Sequence, residues 1–232
     1  MASLLKQLSP SCLEDLIAAL SLYRPGPLDS GMTEQYLQRK HGHAKVEYPH
    51  ERLREVLKDT FGVILYQEQV MQVVSAFAGL NPGEADLFRR AISSRSPSIM
   101  EEQRIIFLQK SLQQRLTRKD AEKIFDLIAK FAYYGFNKAH STSYAMLSYL
   151  TCYLKVHYPA QYLASLLTYG MGYYDTDRYV QEARRFKVAV LLPDVNKSQS
   201  GFFFFFQSIR IGFSRVKGLG FKQVNHILKI RK

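Results

Sequence analysis

Proline and glycine placement constrains this chain more than any other feature. From Glu68 onward apolar residues recur at helical spacing, and the pattern is cut at Asn81-Pro82-Gly83, Ser93 to Pro97 and Tyr134-Gly135. Proline lacks the amide hydrogen and glycine loses most entropy on ordering, so each cut ends one helix. The reading predicts helices over 68–79, 83–92, 98–115, 118–132 and 141–168, with helical periodicity also at 51–58. A further helix is expected at 9–22, with Ser11 as N-cap and Glu14 at the capping-box spacing. Tyr23-Arg24-Pro25-Gly26-Pro27 stops it in a fixed turn, and Phe61 to Tyr66 fits a strand or a buried helix start.

After Gly170 the texture changes. A helix over 177–186 is followed by a strand at 188–192, a turn at Pro193-Asp194-Val195-Asn196, a hairpin of 202–206 with 209–213, and a turn into a helix over 216–230. The fold class is therefore mainly α with a small α+β C-terminal part, and the compositional boundary lies near residue 170. Only Cys12 and Cys152 are present, which leaves no disulfide framework or zinc finger and suits a reducing cytoplasm. Lys155, His157 and Pro159 interrupt the most apolar stretch, so a soluble protein without a membrane span is expected.

The charge is uneven. Of 32 basic and 20 acidic residues, positions 1–168 hold 20 and 16, whereas 169–232 hold 12 and 4, so net +8 of the total +12 lies in the tail. Such a segment suits a polyanion, nucleic acid first, although solubility alone also accounts for basic domains. From Leu127 to Tyr174 there is no carboxylate, while Lys130, Lys138 and Lys155 remain, which suits a phosphate.

Three constellations could carry chemistry. Arg89 and Arg90 are adjacent on a helix and diverge by about 100°, so they either form a solvated face or grip an extended ligand such as a triphosphate. In Tyr133-Tyr134-Gly135-Phe136-Asn137-Lys138-Ala139-His140-Ser141 the glycine allows close backbone approach and Lys138 offers a point charge. Tyr134, Asn137 and His140 offer a stacking face or donors, and a helix starting at Ser141 favours an anion; a plain helix corner fits the same residues. Val216-Lys217-Gly218-Leu219-Gly220 resembles a helix-hairpin-helix turn, in which Gly218 and Gly220 amides and Lys217 hold a DNA backbone phosphate. Asp175 and Asp177 fit a helix start better than a metal pair, and no phosphate-loop or HExxH motif is present.

Tyr23-Arg24-Pro25-Gly26-Pro27, Arg39-Lys40-His41-Gly42, Tyr66-Gln67-Glu68-Gln69-Val70-Met71, Asp86-Leu87-Phe88-Arg89-Arg90-Ala91, Tyr134-Gly135-Phe136-Asn137-Lys138-Ala139-His140 and Leu192-Pro193-Asp194-Val195-Asn196 occur in that order. Together they resemble the alpha subunits of bacterial DNA polymerase III, C-family replicative polymerases, over nearly the whole chain but only an inner section of a much longer subunit. The resemblance implies a remnant of the palm at 1–22, a helical fingers domain at 23–169, and at 170–232 the start of a DNA-binding segment whose helix-hairpin-helix motif is truncated. It implies that Arg89, Arg90 and Lys138 grip an incoming deoxynucleoside triphosphate, that Tyr134, Asn137 and His140 line its sugar and base, and that Lys217, Gly218 and Gly220 contact DNA.

By the same resemblance the chemistry is phosphoryl transfer with Mg²⁺ on palm aspartates. The motifs that carry those aspartates do not occur here, so the chain contains no catalytic or metal residue of its own and is expected to be inactive alone. Implied partners are primer-template DNA, deoxynucleoside triphosphates, the palm and thumb, the sliding clamp and other holoenzyme subunits in a bacterial cytoplasm. The alternatives are an inactive DNA-binding remnant or a split-polymerase piece acting in trans. Helix 9–22, without palm partners, is expected to expose Leu16, Ile17 and Leu20. Departures from the family pattern are Ile92-Ser93-Ser94-Arg95-Ser96 in place of a lysine-rich run, Ala139 in place of a serine, and the Phe202 to Phe206 run.

Overall fold

A computed structural model of the chain describes residues 1–94, 96–132, 135–170 and 173–231. It groups into two compact units, Met1–Leu147 and Ser148–Lys232. The compositional boundary near residue 170 reflects local chemistry, whereas this division reflects packing.

The first unit opens with α1 (Ala2–Leu8), α2 (Leu13–Leu22), α3 (Pro25–Asp29), α4 (Met32–Lys40) and the single turn α5 (Arg54–Leu57), which lies between 3₁₀ turns. The longer helices α6 (Gln67–Ala78), α7 (Pro82–Ser93), α8 (Pro97–Gln113) and α9 (Arg118–Ala132) follow, and then α10 (Lys138–His157), within which the division falls. α7 starts as its sequence dictates. Asn81 Oδ1 accepts from Glu84 N at 3.0 Å, Glu84 Oε2 accepts from Asn81 N at 2.9 Å, and Pro82 occupies the first turn, where no intrahelical donor is required. α6 to α9 bury Val73, Phe77, Ile92, Ile124 and Ile128, with Phe88, Phe107 and Phe125 packed at centroid distances of 6.0, 6.4 and 5.8 Å. A second cluster joins Leu4, Leu8, Ile17, Leu22, Tyr36, Leu65 and Tyr66.

Several expectations need correction. Ser9 is left-handed at φ 46° and ends an unforeseen α1, so α2 starts only at Leu13. Its N-cap is Cys12, while Ser11 donates from N and Oγ to Asp15 Oδ2 at 2.8 and 3.2 Å. Tyr23 to Pro27 does stop α2, yet Pro25 takes the first position of α3, because its fixed φ suits a helix start. The 51–58 stretch splits into short α and 3₁₀ turns. The 141–168 helix is interrupted at Tyr158, where Pro159 starts α11 (Pro159–Tyr169) and cannot donate to the turn before it. Ile17 is buried and Leu16 and Leu20 pack partly buried against the second cluster, so the apolar strip is covered within the first unit.

Phe61 to Leu65 forms neither helix nor named strand. Gly62, at φ +77°, turns the chain where a Cβ would collide with the Glu47 carbonyl oxygen. The extended residues after it are buried, and their amides need partners. Gln69 supplies them, with Oε1 accepting from Leu65 N at 2.8 Å and Tyr66 N at 3.0 Å, while Nε2 donates to Thr60 Oγ1 at 2.8 Å and Val56 O at 3.3 Å.

The second unit comprises α11, α12 (Thr176–Arg185), β1 (Ala189–Leu191), β2 (Phe203–Phe205), β3 (Ser208–Arg210) and α13 (Phe221–Ile230). The sheet order is β1-β3-β2; β1 and β3 are parallel, and β2 and β3 form the expected antiparallel hairpin. Leu163, Leu167, Ala183, Val188 and Ile209 form its core. The fold is thus mainly α with a small C-terminal α+β part, as the sequence predicts.

Asp15 is buried and pairs with Lys40 Nζ at 2.7 Å. Burial alone would raise its pKa, but the bonds from Lys40 and Ser11 outweigh that and hold the carboxyl below its ordinary 3.8. Asp15→Asn leaves Lys40 uncompensated and is expected to cost about 3 kcal/mol at pH 7 in denaturant unfolding. A depressed folded pKa contributes stability above the unfolded value that is lost as pH falls through the folded one. The difference from the parent chain should therefore hold down to about pH 4 and shrink below it; a difference independent of pH would refute the pairing.

Candidate functional site

The three-residue and four-residue spacing of α7 places Asp86 beneath both Arg89 and Arg90. Asp86 Oδ1 accepts from Arg89 Nε at 3.0 Å and Nη2 at 2.7 Å, and Oδ2 pairs with Arg90 Nε at 2.8 Å. One carboxylate thus brings together guanidinia that helix geometry alone would spread. The Arg89 side chain is 21% exposed and that of Arg90 68%. The Arg89 hydrogen bond holds Asp86 below its ordinary carboxylate range, so the trio carries net +1 at neutral pH.

Gln67, the first residue of α6, ties Arg89 to the loop before α10. Its Oε1 accepts from Arg89 Nη1 at 3.2 Å, its Nε2 donates to Gly135 O at 3.3 Å, and its backbone N donates to Phe136 O at 2.8 Å. Tyr66 and Phe136 form an isolated parallel bridge. The Arg24 guanidinium lies over the Phe136 ring at 4.3 Å, and Nε donates to Ser21 O at 3.1 Å. Arg24 comes from the Tyr23 to Pro27 motif, to which sequence reasoning assigned only a turn.

α10 begins at Lys138 rather than Ser141, because Asn137 caps it by accepting from His140 N at 2.8 Å. The first amide of that helix is already taken by an anion: Lys138 N donates to both Glu68 carboxylate oxygens at 3.0 Å. The Lys138 ammonium lies 5.3 Å from the Tyr66 ring centroid. His140 is exposed and packs beside Phe136 and Tyr144, with ring centroids 5.6 and 4.6 Å away. One turn on, Ser141 Oγ meets Ser21 Oγ at 2.8 Å in a buried contact that fixes α10 to α2. Tyr134 lies outside the described residues.

The structure therefore brings Arg89, Lys138, His140 and Asn137 to the elements joined by Gln67 and Glu68, with Arg90 more exposed beside them. Gln67, Glu68, Asp86 and Arg24 were missed as site residues. The available signal was that each lies in one of the short ordered motifs, Asp86 in that of the arginine pair, Gln67 and Glu68 in Tyr66 to Met71, and Arg24 in Tyr23 to Pro27. Such a cluster can receive an extended anion when Asp86 and Glu68 give up part of their bonding.

In the second unit, the Val216 to Gly220 turn joins a 3₁₀ turn, Phe213–Arg215, to α13. Gly218 has φ +91°, with no atom within 4 Å of an added Cβ, so backbone conformation and not space calls for glycine. Gly220 is the N-cap of α13 with no side-chain cap, which leaves first-turn amides open. Lys217 and Lys222 flank them without an ion pair among the described residues.

Among the described residues no group of three or more His, Cys, Asp and Glu is placed to hold a metal ion. Asp175 is the N-cap of α12 and Asp177 lies in its first turn. These donors do not fit a two-metal centre. No described helix is long and apolar enough to cross a membrane.

A family model for the bacterial DNA polymerase III alpha subunit finger domain matches residues 1–115, and a helix-hairpin-helix motif model matches residues 187–232. The chain is 43% identical over 233 residues to DNA polymerase III subunit alpha of Bacillus subtilis (strain 168). It is 42% identical over 243 residues to that of Escherichia coli (strain K12), and 42% identical over 233 residues to that of Aquifex aeolicus (strain VF5). Each match takes in 100% of this chain and 20 or 21% of the relative, so the chain spans about a fifth of their length.

Gln67→Ala removes the side-chain link from Arg89 to Gly135 and keeps the backbone bond to Phe136. The expected cost is about 1–2 kcal/mol in denaturant unfolding, with faster amide exchange at Phe136 and Lys138. Unchanged exchange there would show that the link does not hold the loop.

Proposed function

That the chain belongs to the bacterial DNA polymerase III alpha subunit family is the premise from which we propose that it serves as the fingers and adjoining DNA-binding section of a DNA-directed DNA polymerase. The observation that carries this reading is the Gln67-centred link between the α7 arginine pair and the Gly135 to His140 loop.

In this reading Arg89 and Arg90 exchange Asp86 for triphosphate oxygens, forming charge-assisted hydrogen bonds of the kind guanidinium makes bidentately. Lys138 adds a point charge, and Tyr134, Asn137 and His140 line the sugar and base. Asp86 keeps the guanidinia oriented and Glu68 holds the first turn of α10 before the nucleotide arrives, which lowers the ordering cost of binding. Mg²⁺ would be held by palm aspartates outside this sequence, so no metal-dependent step is assigned to its residues. Residues 1–22 then belong to the palm, 23–169 to the fingers, and 170–232 to the duplex-binding segment, where Lys217, Gly218 and Gly220 hold a backbone phosphate. Primer-template DNA, the sliding clamp and the remaining holoenzyme subunits are the partners that follow.

A second reading, a DNA-binding module with an idle nucleotide pocket, is favoured by one contrast. Arg89 and Arg90 share a carboxylate partner in Asp86, whereas Lys217, Lys222 and Lys229 have no carboxylate partner among the described residues.

Calorimetric titration with a deoxynucleoside triphosphate separates the two. Arg89→Ala and Lys138→Ala are each expected to weaken binding roughly tenfold or more while duplex binding persists. If the parent chain binds duplex DNA in a salt-dependent way that Lys217→Glu abolishes, yet binds no nucleotide, the second reading stands. The chain alone is expected to extend no primer; extension abolished by Arg89→Ala with Arg90→Ala would overturn the assignment of the chemistry to residues elsewhere.

A further inference from the structure

We propose that the outer face of the β1-β3-β2 sheet is a stacking platform for single-stranded DNA. The strand register builds it. Val190 and Ile209 are paired and Ile209 is fully buried, so the residues on either side of them point the other way. That outward set forms two rows across the sheet: Leu191, Arg210 and Phe203, then Ala189, Ser208 and Phe205. An open cleft of about 420 Å³ is lined by Leu191, Phe203, Phe205, Ser208, Arg210 and Lys197. Phe203 is 41% exposed and Phe205 63%, and Phe206 at the hairpin turn is 82% exposed with its ring 4.6 Å from that of Phe205.

Leaving such rings in water is unfavourable unless a partner covers them. Charge identifies that partner. Residues 187–232 hold nine Lys and Arg and a single acidic residue, Asp194. Its Oδ1 is occupied by the amides of Asn196 and Lys197 at 2.9 and 3.1 Å. Arg210 is steadied by donating to Leu192 O at 2.9 Å, and the Lys197 ammonium has no partner among the described residues. The ligand is therefore a polyanion with flat apolar faces. A single strand offers both, with phosphates for Lys197 and Arg210 and unpaired bases for Phe203 and Phe205, which alternate along one face at about 6.6 Å. A duplex hides its base faces, and a second copy of this chain would bring like charge. This platform shares no residue with the nucleotide cluster and does not rest on the function proposed there.

The test is fluorescence anisotropy of the whole chain with labelled oligo(dT), an abasic strand of equal length and a duplex. The parent chain should bind oligo(dT) about tenfold or more tightly than the abasic strand, because stacking is the part an abasic strand lacks. Phe203→Ser with Phe205→Ser should bring oligo(dT) down to the abasic level, keep its salt dependence and leave duplex affinity within about twofold. Lys217→Glu should weaken the duplex and preserve the oligo(dT) preference. Equal binding of oligo(dT) and the abasic strand by the parent chain would overturn the proposal, and this arm needs no variant to fold. It would equally be overturned if the double variant kept its oligo(dT) affinity and lost only self-association or binding to poly-glutamate, which would make the face a protein surface.

Discussion

The Gln69 amide uses all its main hydrogen-bonding directions in a buried site: two backbone amides donate to its oxygen and its nitrogen donates to Thr60 and Val56. Without it, the extended Leu65 and Tyr66 would bury two orphaned donors, each costing about 1–3 kcal/mol. With it, the chain enters α6 at one angle, and that angle places Gln67 and Glu68. Gln67 reaches Arg89 and Gly135, and Glu68 reaches the first amide of α10. A buried side chain therefore positions the residues that tie Arg89 to the loop before α10.

Electrostatics adds a second layer. The stretch from Leu127 to Tyr174 carries no carboxylate, yet acids from elsewhere reach it at two points, one through a backbone amide and one through an ion pair. Glu68 holds the start of α10 at Lys138, and in the other unit Glu182 pairs with Lys155 at 2.6 Å. Lys155 is the leading cause of the lowered Glu182 pKa. Asp86 offsets only one of the two arginine charges, so the α7 trio keeps net +1. The tail differs, since its cations outnumber acids and its turn lysines stay unpaired.

Much of the fold was legible because its signals are local. Asn81-Pro82-Gly83-Glu84 specifies a helix start by chemistry among four neighbours, and α7, α8 and α9 lie where helical periodicity puts them. The hairpin of Phe203–Phe205 with Ser208–Arg210 lies within one residue of its expected start, because two aromatic and β-branched runs flank a short turn. The failures lie where a distant residue intervenes. Ser11 has the right identity for an N-cap but bonds to Asp15, whose other oxygen is held by Lys40 from α4. Phe61 to Tyr66 has strand composition, yet its amides pair with a side chain in the following helix.

The sequence by itself determined the helical punctuation, the family, the uneven charge and the residue types able to meet a phosphate, because each depends on composition or short spacing. Only the tertiary structure decided that Gln67 joins Arg89 to the lysine loop and that Lys40 reaches the buried Asp15. Those outcomes depend on geometry between segments far apart in the chain. Burial decides them, since a polar group removed from water must take whatever partner the packing brings within reach.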